Sequence, residues 1–225
     1  MIFQNGWFPV GVVMAAWPVL LVIFALCAKQ AWVSVSQHRS AFLLAAVMLP
    51  LAWSLNASPE SGQLAGMSYH LLALNLTALM LGTSAAFCIG VLLFFPYLWL
   101  WGDWHMFPIN ALSVLLPPLL VHLGFRHWVS RLPANIFIFI FLNGFWASAV
   151  GMVFTGVILV GLLDWADVFD TVVLWKTAFP VFFLIAWAEA FLSGISTAIF
   201  IALKPQWICT FDDDRYLKSV PKIWQ

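Results

Sequence analysis

Apolar runs at residues 8–28, 40–57, 68–101, 107–125, 133–163 and 177–203 alternate with short polar stretches along this chain of 225 residues. A helix rises 1.5 Å per residue, so roughly 20 residues cross a bilayer core. At that rise the 68–101 run is about 51 Å long, too long for one crossing. The stretch LGTSA at 81–85 breaks it, because Gly82 is a helix C-cap signal and Thr83 or Ser84 can cap the next helix. That predicts a short helix over 68–82 and a full one over 84–101. The 133–163 run is about 46 Å long, and Asn143-Gly144 offers a break there too.

Charge decides between one helix and two over 133–163. Lys29 and Arg39 flank the first loop, Arg126 and Arg131 a later one, and Lys204, Arg215, Lys218 and Lys222 lie in the tail. With 133–163 kept whole, all of these fall on one side, and Lys176 stands opposite beside Asp164, Asp167 and Asp170. Splitting the run scatters them. The positive-inside rule therefore predicts about seven helices, one of them short, with the N-terminus outside and the C-terminus cytoplasmic. Trp7, Trp32, Trp101, Trp128, Trp175 and Trp207 sit near predicted helix ends, as an aromatic belt requires. The expectation is an all-α, polytopic integral membrane bundle. Its single transmembrane domain covers 1–225, with spans at about 8–28, 40–57, 68–82, 84–101, 107–125, 133–163 and 177–203 and a tail over 204–225.

Composition agrees. The chain is 64% hydrophobic and 8% charged, with a mean hydropathy of +1.01, whereas soluble domains carry roughly 25% charged residues. A zero net charge leaves no basic surface for nucleic acid. Cys27, Cys88 and Cys209 are scattered and form no C-x-x-C pair, so neither a disulfide framework nor a thiolate zinc site is expected. No Lys or Arg precedes Lys29, so the N-terminus lacks the basic region of a signal peptide and residue 1 is expected to be retained. There is no Walker A loop, nucleophile elbow or HExxH, so no hydrolytic enzyme and no organic cofactor are expected.

A charge inside hydrocarbon costs at least about 2.5–3.5 kcal/mol on insertion scales and needs a partner or a cavity. Glu189 lies in LIAWAEAFLSGI (184–195), near the middle of the last run. It suits a partner for a proton, a cation or a ligand histidine, and equally a carboxyl hydrogen-bonded to a neighbouring helix. Ala186, Ala188, Ala190, Ser193, Gly194, Ser196 and Thr197 around it predict close helix packing. His70, at the start of the predicted third helix, suits a transition-metal ligand or an interfacial histidine held by a backbone carbonyl. Met67 precedes it by a turn, and GDWHMF (102–107) adds Asp103, His105 and Met106 on the same outer side. Together they offer donors for a soft-to-borderline metal. His38, His122 and His127 toward the inner side admit a haem pair or ordinary loop and snorkelling positions. Pro117-Pro118 predicts a kink before His122. In the tail, Asp212, Asp213 and Asp214 suit a magnesium ion, a solvated helix cap or, with Arg215, a docking surface for a cytoplasmic partner.

In this order the residues resemble the CbiM/NikM-like cobalt and nickel transport proteins, the membrane subunits that capture substrate in energy-coupling-factor ABC importers. The family opening M-H-I-P-D-G is similar to MIFQNGWF, with Met1, Asn5 and Gly6 in place. HLLALNLTALMLGTSAA (70–86) resembles the family's H-L-x-G-x-x-L-x-A-L-L-L-G-P-W-A-A stretch, GDWH (102–105) its G-D-G-G element, and AEAFLSGISTA (188–198) its G-E-G-x-I-T-A element. In that family the N-terminal amine, the amide and imidazole of residue 2, and a histidine matching His70 hold the metal. The resemblance thus implies Met1 and His70 as ligands. Ile2 stands where the family has histidine, which removes one nitrogen from a set suited to square-planar Ni(II). His105, and behind it Met67, Met106 and Asp103, are the candidates to complete a different site. Glu189 and Asn110 are implied as parts of an internal polar network.

The expectation is a substrate-capturing permease subunit in the cell membrane. Its substrate is a transition-metal ion, Co or Ni by resemblance, with Cu or Zn as alternatives. Its partners are the bilayer and the ATPase and transmembrane coupling subunits of an ABC importer. Alternatives are a membrane scaffold with no substrate and a haem-binding redox subunit.

Overall fold

A computed structural model describes residues 2–56 and 68–216. Met1, Met67, most of the 56–63 connector, Lys218 and Lys222 lie outside the described residues. The chain forms α1 (Val10–Gln37) and α2 (Arg39–Ser54), α3 (Leu74–Leu81) and α4 (Thr83–Trp101), then α5 (Phe107–Val129). Two longer helical runs follow, α6 (Ile136–Trp165) and α7 (Thr171–Leu203). By length and composition 5 of these, all but α2 and α3, can cross a membrane. The apolar α2 has 16 residues and α3 only 8, every one of them buried. The chain is therefore a polytopic helical membrane bundle.

The helices pack in two sets joined through α5. One comprises α1, α3 and α4, the other α6 and α7, with α5 against α4 and α6. Core formation is uneven: α1 turns Val10, Met14, Leu26 and Trp32 outward, whereas α3 is enclosed. In a bilayer such outward apolar residues face acyl chains rather than water. Because the helices alternate in direction, one end collects Asp103, Asp164, Asp167, Asp170 and Lys176. The other collects Arg39, Arg126, Arg131, Lys204 and Arg215.

The structure adds detail to the sequence reading at three places. The 133–163 run stays one helix, but Asn143-Gly144 falls inside a π-helical stretch, Phe139–Trp146. Gly144 lies against α7, where an added Cβ would be 3.3 Å from Gly194 Cα. Small residues let the two backbones touch. Pro117 and Pro118 leave α5 continuous; the chain at Pro118 nests against Gly151, where an added Cβ would meet Pro118 Cα at 3.2 Å. Finally, α3 begins at Leu74 rather than 68, and α7 at Thr171 rather than 177.

A half-helix enclosed in a membrane bundle needs partners for its end groups. At its C-terminus the turn into α4 runs over Gly82, at φ 83°, a left-handed value that favours glycine. Thr83 and Ser84 provide no side-chain cap. Instead the tail strap supplies donors: Thr210 Oγ1 reaches Leu79 O at 2.9 Å, and Cys209 N reaches Met80 O at 3.2 Å. Ser34 Oγ on α1 donates to Leu81 O.

Candidate functional site

The N-terminus of α3 accounts for Glu189. Residues 70–73 are non-helical and lead into α3 through Ala73, at φ 54°, ψ 13°. A non-glycine residue there is strained by roughly 1–3 kcal/mol and persists only where its surroundings impose it. The Glu189 carboxylate does so from α7. Its Oε1 accepts from Ala73 N at 2.6 Å and its Oε2 from Leu72 N at 2.9 Å. Its two oxygens thus meet free amides at the positive end of α3. Trp53 Nε1 donates to Leu72 O at 3.1 Å, and Thr77 Oγ1 to Ala73 O at 2.9 Å. Apart from Thr77 N, which donates to Ala73 O at 3.1 Å, these partners are side chains, so Leu72 and the Ala73 amide are satisfied without continuing the helix. Glu189 lies about 27 Å along α7 from Thr171.

His70 sits just upstream, 2% exposed. It is therefore not in the third helix but in the segment that Glu189 anchors. Its Nδ1 is 2.9 Å from Leu71 O. A carbonyl only accepts, so Nδ1 carries the hydrogen and Nε2 the lone pair. Nε2 is buried and has no hydrogen-bond partner among the described residues. A ring nitrogen bonded to a carbonyl, with the other left as a bare donor, is the usual preparation of a metal-ligating histidine. The ring packs edge-on against Tyr97 at 5.7 Å, and Tyr97 Oη donates to Trp53 O at 3.1 Å.

Asn110 holds the N-terminal arm. Its Oδ1 accepts from Phe3 N at 2.7 Å and its Nδ2 donates to Phe3 O at 3.1 Å. Both backbone groups of a buried residue are thereby satisfied by one amide, which fixes the arm's direction. Ile2, also buried, covers Gly102, where an added Cβ would lie 3.1 Å from Ile2 Cγ2. Gly102 follows Tyr97 by about 7.5 Å of helix rise. The end of α4 thus touches both His70 and Ile2.

His105 differs. Its side chain is 61% exposed, its Nδ1 lies 2.8 Å from Asp103 Oδ1, and its ring lies on Trp104 at 4.0 Å. The Asp103 oxygen also caps the 3₁₀ turn through His105 N at 2.9 Å. Partial burial raises the Asp103 pKa, but these bonds outweigh it and hold the carboxyl below its usual range. No group of three or more His, Cys, Asp or Glu side chains among the described residues is placed to hold a metal, so His70 does not join the Asp103–His105 pair. Met106 is buried.

The sequence reading missed Asn75. Its Oδ1 faces His122 Nδ1 at 2.8 Å. Its Nδ2 donates to Asn143 O at 2.9 Å, Gly144 O at 3.2 Å and Ser193 Oγ at 2.8 Å. The π-helical stretch of α6 presents those two carbonyls to it. An asparagine in an apolar run was the available signal. The inner-side histidines are used separately: His38 contacts Ser34 O at 3.1 Å, and His127 contacts Arg131.

In the tail, Asp212 caps the turn Asp213–Tyr216 by accepting from Asp214 N at 3.0 Å and Arg215 N at 3.2 Å. Arg215 donates to Ser130 O at 2.9 Å and Leu132 O at 3.3 Å. Asp213 and Asp214 are exposed.

Comparisons with known proteins agree with this architecture. The family model CbiM, described as the cobalt uptake substrate-specific transmembrane region, matches residues 3–207. No curated protein matches the chain. A solved structure described as a truncated transition metal transporter superposes with a TM-score of 0.75 at 14% identity, covering 91% of this chain and 99% of that one. At that identity the likeness shows the fold alone.

Proposed function

The chain belongs to the CbiM family of cobalt-uptake transmembrane proteins, and from that premise we propose that it captures a divalent transition-metal ion at His70 for import. As a member of that family it is a multi-pass membrane component of metal uptake, a transporter part rather than an enzyme. The observation that carries the site is the buried, unpartnered Nε2 of His70, whose Nδ1–H is already committed to Leu71 O. Among the described residues no donor reaches this enclosed lone pair, which leaves it available to a metal ion.

The remaining donors come from the N-terminal arm. Asn110 holds Phe3, and Ile2 packs on the α4 end that also carries Tyr97 against His70. Through the family resemblance, the amine of Met1 and the amide of Ile2 complete a set with one imidazole. That set is poorer in nitrogen than a square-planar Ni(II) site needs, so Co(II) is the favoured ion. His105 takes no part. Glu189 positions the segment bearing His70 and is not itself a ligand. The chain lies in the cell membrane with this end outside, and separate ATPase and transmembrane coupling subunits bind its cationic end and supply the energy.

Equilibrium dialysis of the purified chain against Co(II), Ni(II), Cu(II) and Zn(II), followed by elemental analysis, tests the reading. Near-stoichiometric retention of one metal is expected, and Ile2→His is expected to move the preference toward Ni(II). Retention of no metal by either protein would contradict it.

A further inference from the structure

We propose that His122 provides a second, inner metal site, through which the ion captured at His70 passes. This rests on the capture reading above. Asn75 fixes the chemistry. Its Nδ2 faces the carbonyls of Asn143 and Gly144, which only accept, so that end is the amide nitrogen and the other is the oxygen. His122 Nδ1 must therefore donate to Asn75 Oδ1, and the lone pair stands on Nε2. Among the described residues His122 Nε2 is buried without a partner, and so is Asn143 Oδ1. The cluster thus holds two unused acceptors on residues that Asn75 joins, inside a membrane bundle where an unsatisfied polar group costs several kcal/mol.

The pattern repeats that of His70: one ring nitrogen tied to an oxygen, the other bare and enclosed. Imidazole nitrogen with amide oxygen suits a borderline divalent ion. Residues 70–75 link the two histidine settings, and that length spans at most about 17 Å. Glu189 holds Leu72 and Ala73 midway along that link, while the Arg126 guanidinium, one turn beyond His122 on α5, weakens the hold on a second cation. A site with few protein donors binds weakly, as a station on a path must if the ion is to leave.

Titration of the purified full-length chain with CoCl₂, read by stoichiometry and visible d–d absorption, tests this. The wild type is expected to show a tight and a weaker class. His70→Ala should abolish the tight class, and His122→Ala should abolish the weaker one. His122→Cys should add a thiolate-to-cobalt charge-transfer band, which a purely structural role for residue 122 would not produce, and that variant serves if His122→Ala fails to fold. Absence of a weaker class, its survival in His122→Ala, or no charge-transfer band in His122→Cys overturns the proposal; the first is the outcome if the two acceptors hold only water. A tight class that is missing from the wild type or survives in His70→Ala, with the His122-dependent class intact, would mark failure of the capture reading instead.

Discussion

His70 and His105 belong to the same end of the bundle and carry the same imidazole, yet their surroundings prepare them for opposite uses. His105 lies open to solvent and shares its Nδ1 with Asp103; its surroundings neither exclude water nor bring a further donor. His70 is enclosed, its tautomer set by Leu71 O and its position set by a carboxylate from a distant helix. On the proposed reading, burial and a committed Nδ1 suit His70 to a metal better than the mere presence of an imidazole suits His105.

The comparison can be broken most severely at Glu189. Glu189→Ala leaves the Leu72 and Ala73 amides buried without an acceptor, at about 1–3 kcal/mol each, and frees the left-handed turn that carries His70 into α3. Thermal unfolding in detergent should show a large fall in Tm, with Glu189→Gln intermediate. A Tm equal to the wild type in Glu189→Ala would mean that α3 is held otherwise. Asn110→Ala comes next. It strips Phe3 of both partners, at a cost of about 1–3 kcal/mol or more, and should weaken metal retention in dialysis by releasing the N-terminal arm; unchanged retention would sever Asn110 from the site.

The smallest effect belongs to the exposed pair. The Asp103 carboxyl is held below its usual range in the folded chain. Its contribution is present above the unfolded value of about 3.9 and is lost as pH falls through the lower folded value. Asp103→Asn should remove that acid-side dependence from a pH series of melting curves and leave neutral-pH metal retention as it was. A drop in retention would bring His105 back into the site.

Much of this fold is legible along the chain. Gly82 marks the α3–α4 break because a positive φ needs glycine, and the cationic residues keep α6 whole despite Asn143-Gly144. The start of α3 is not legible. Residues 68–73 are no less compatible with helix locally, and what stops the helix is Glu189, 116 positions from Ala73 in sequence. The candidate metal donors divide in the same way. His70 and His105 look alike in sequence because burial and the commitment of Nδ1 depend on Tyr97, Leu71 and Asp103 in space. Asn75 escaped notice because its four partners come from three other helices. Met1 and Met67, both singled out for metal, lie outside the described residues.

The central claim is that capture depends on the enclosed histidine and not on the exposed one. The most direct test is cobalt stoichiometry by elemental analysis after dialysis of His70→Ala and His105→Ala, side by side with the wild type. The account predicts that the tightly held ion disappears in His70→Ala and is retained in His105→Ala. Loss in His105→Ala with retention in His70→Ala would contradict it.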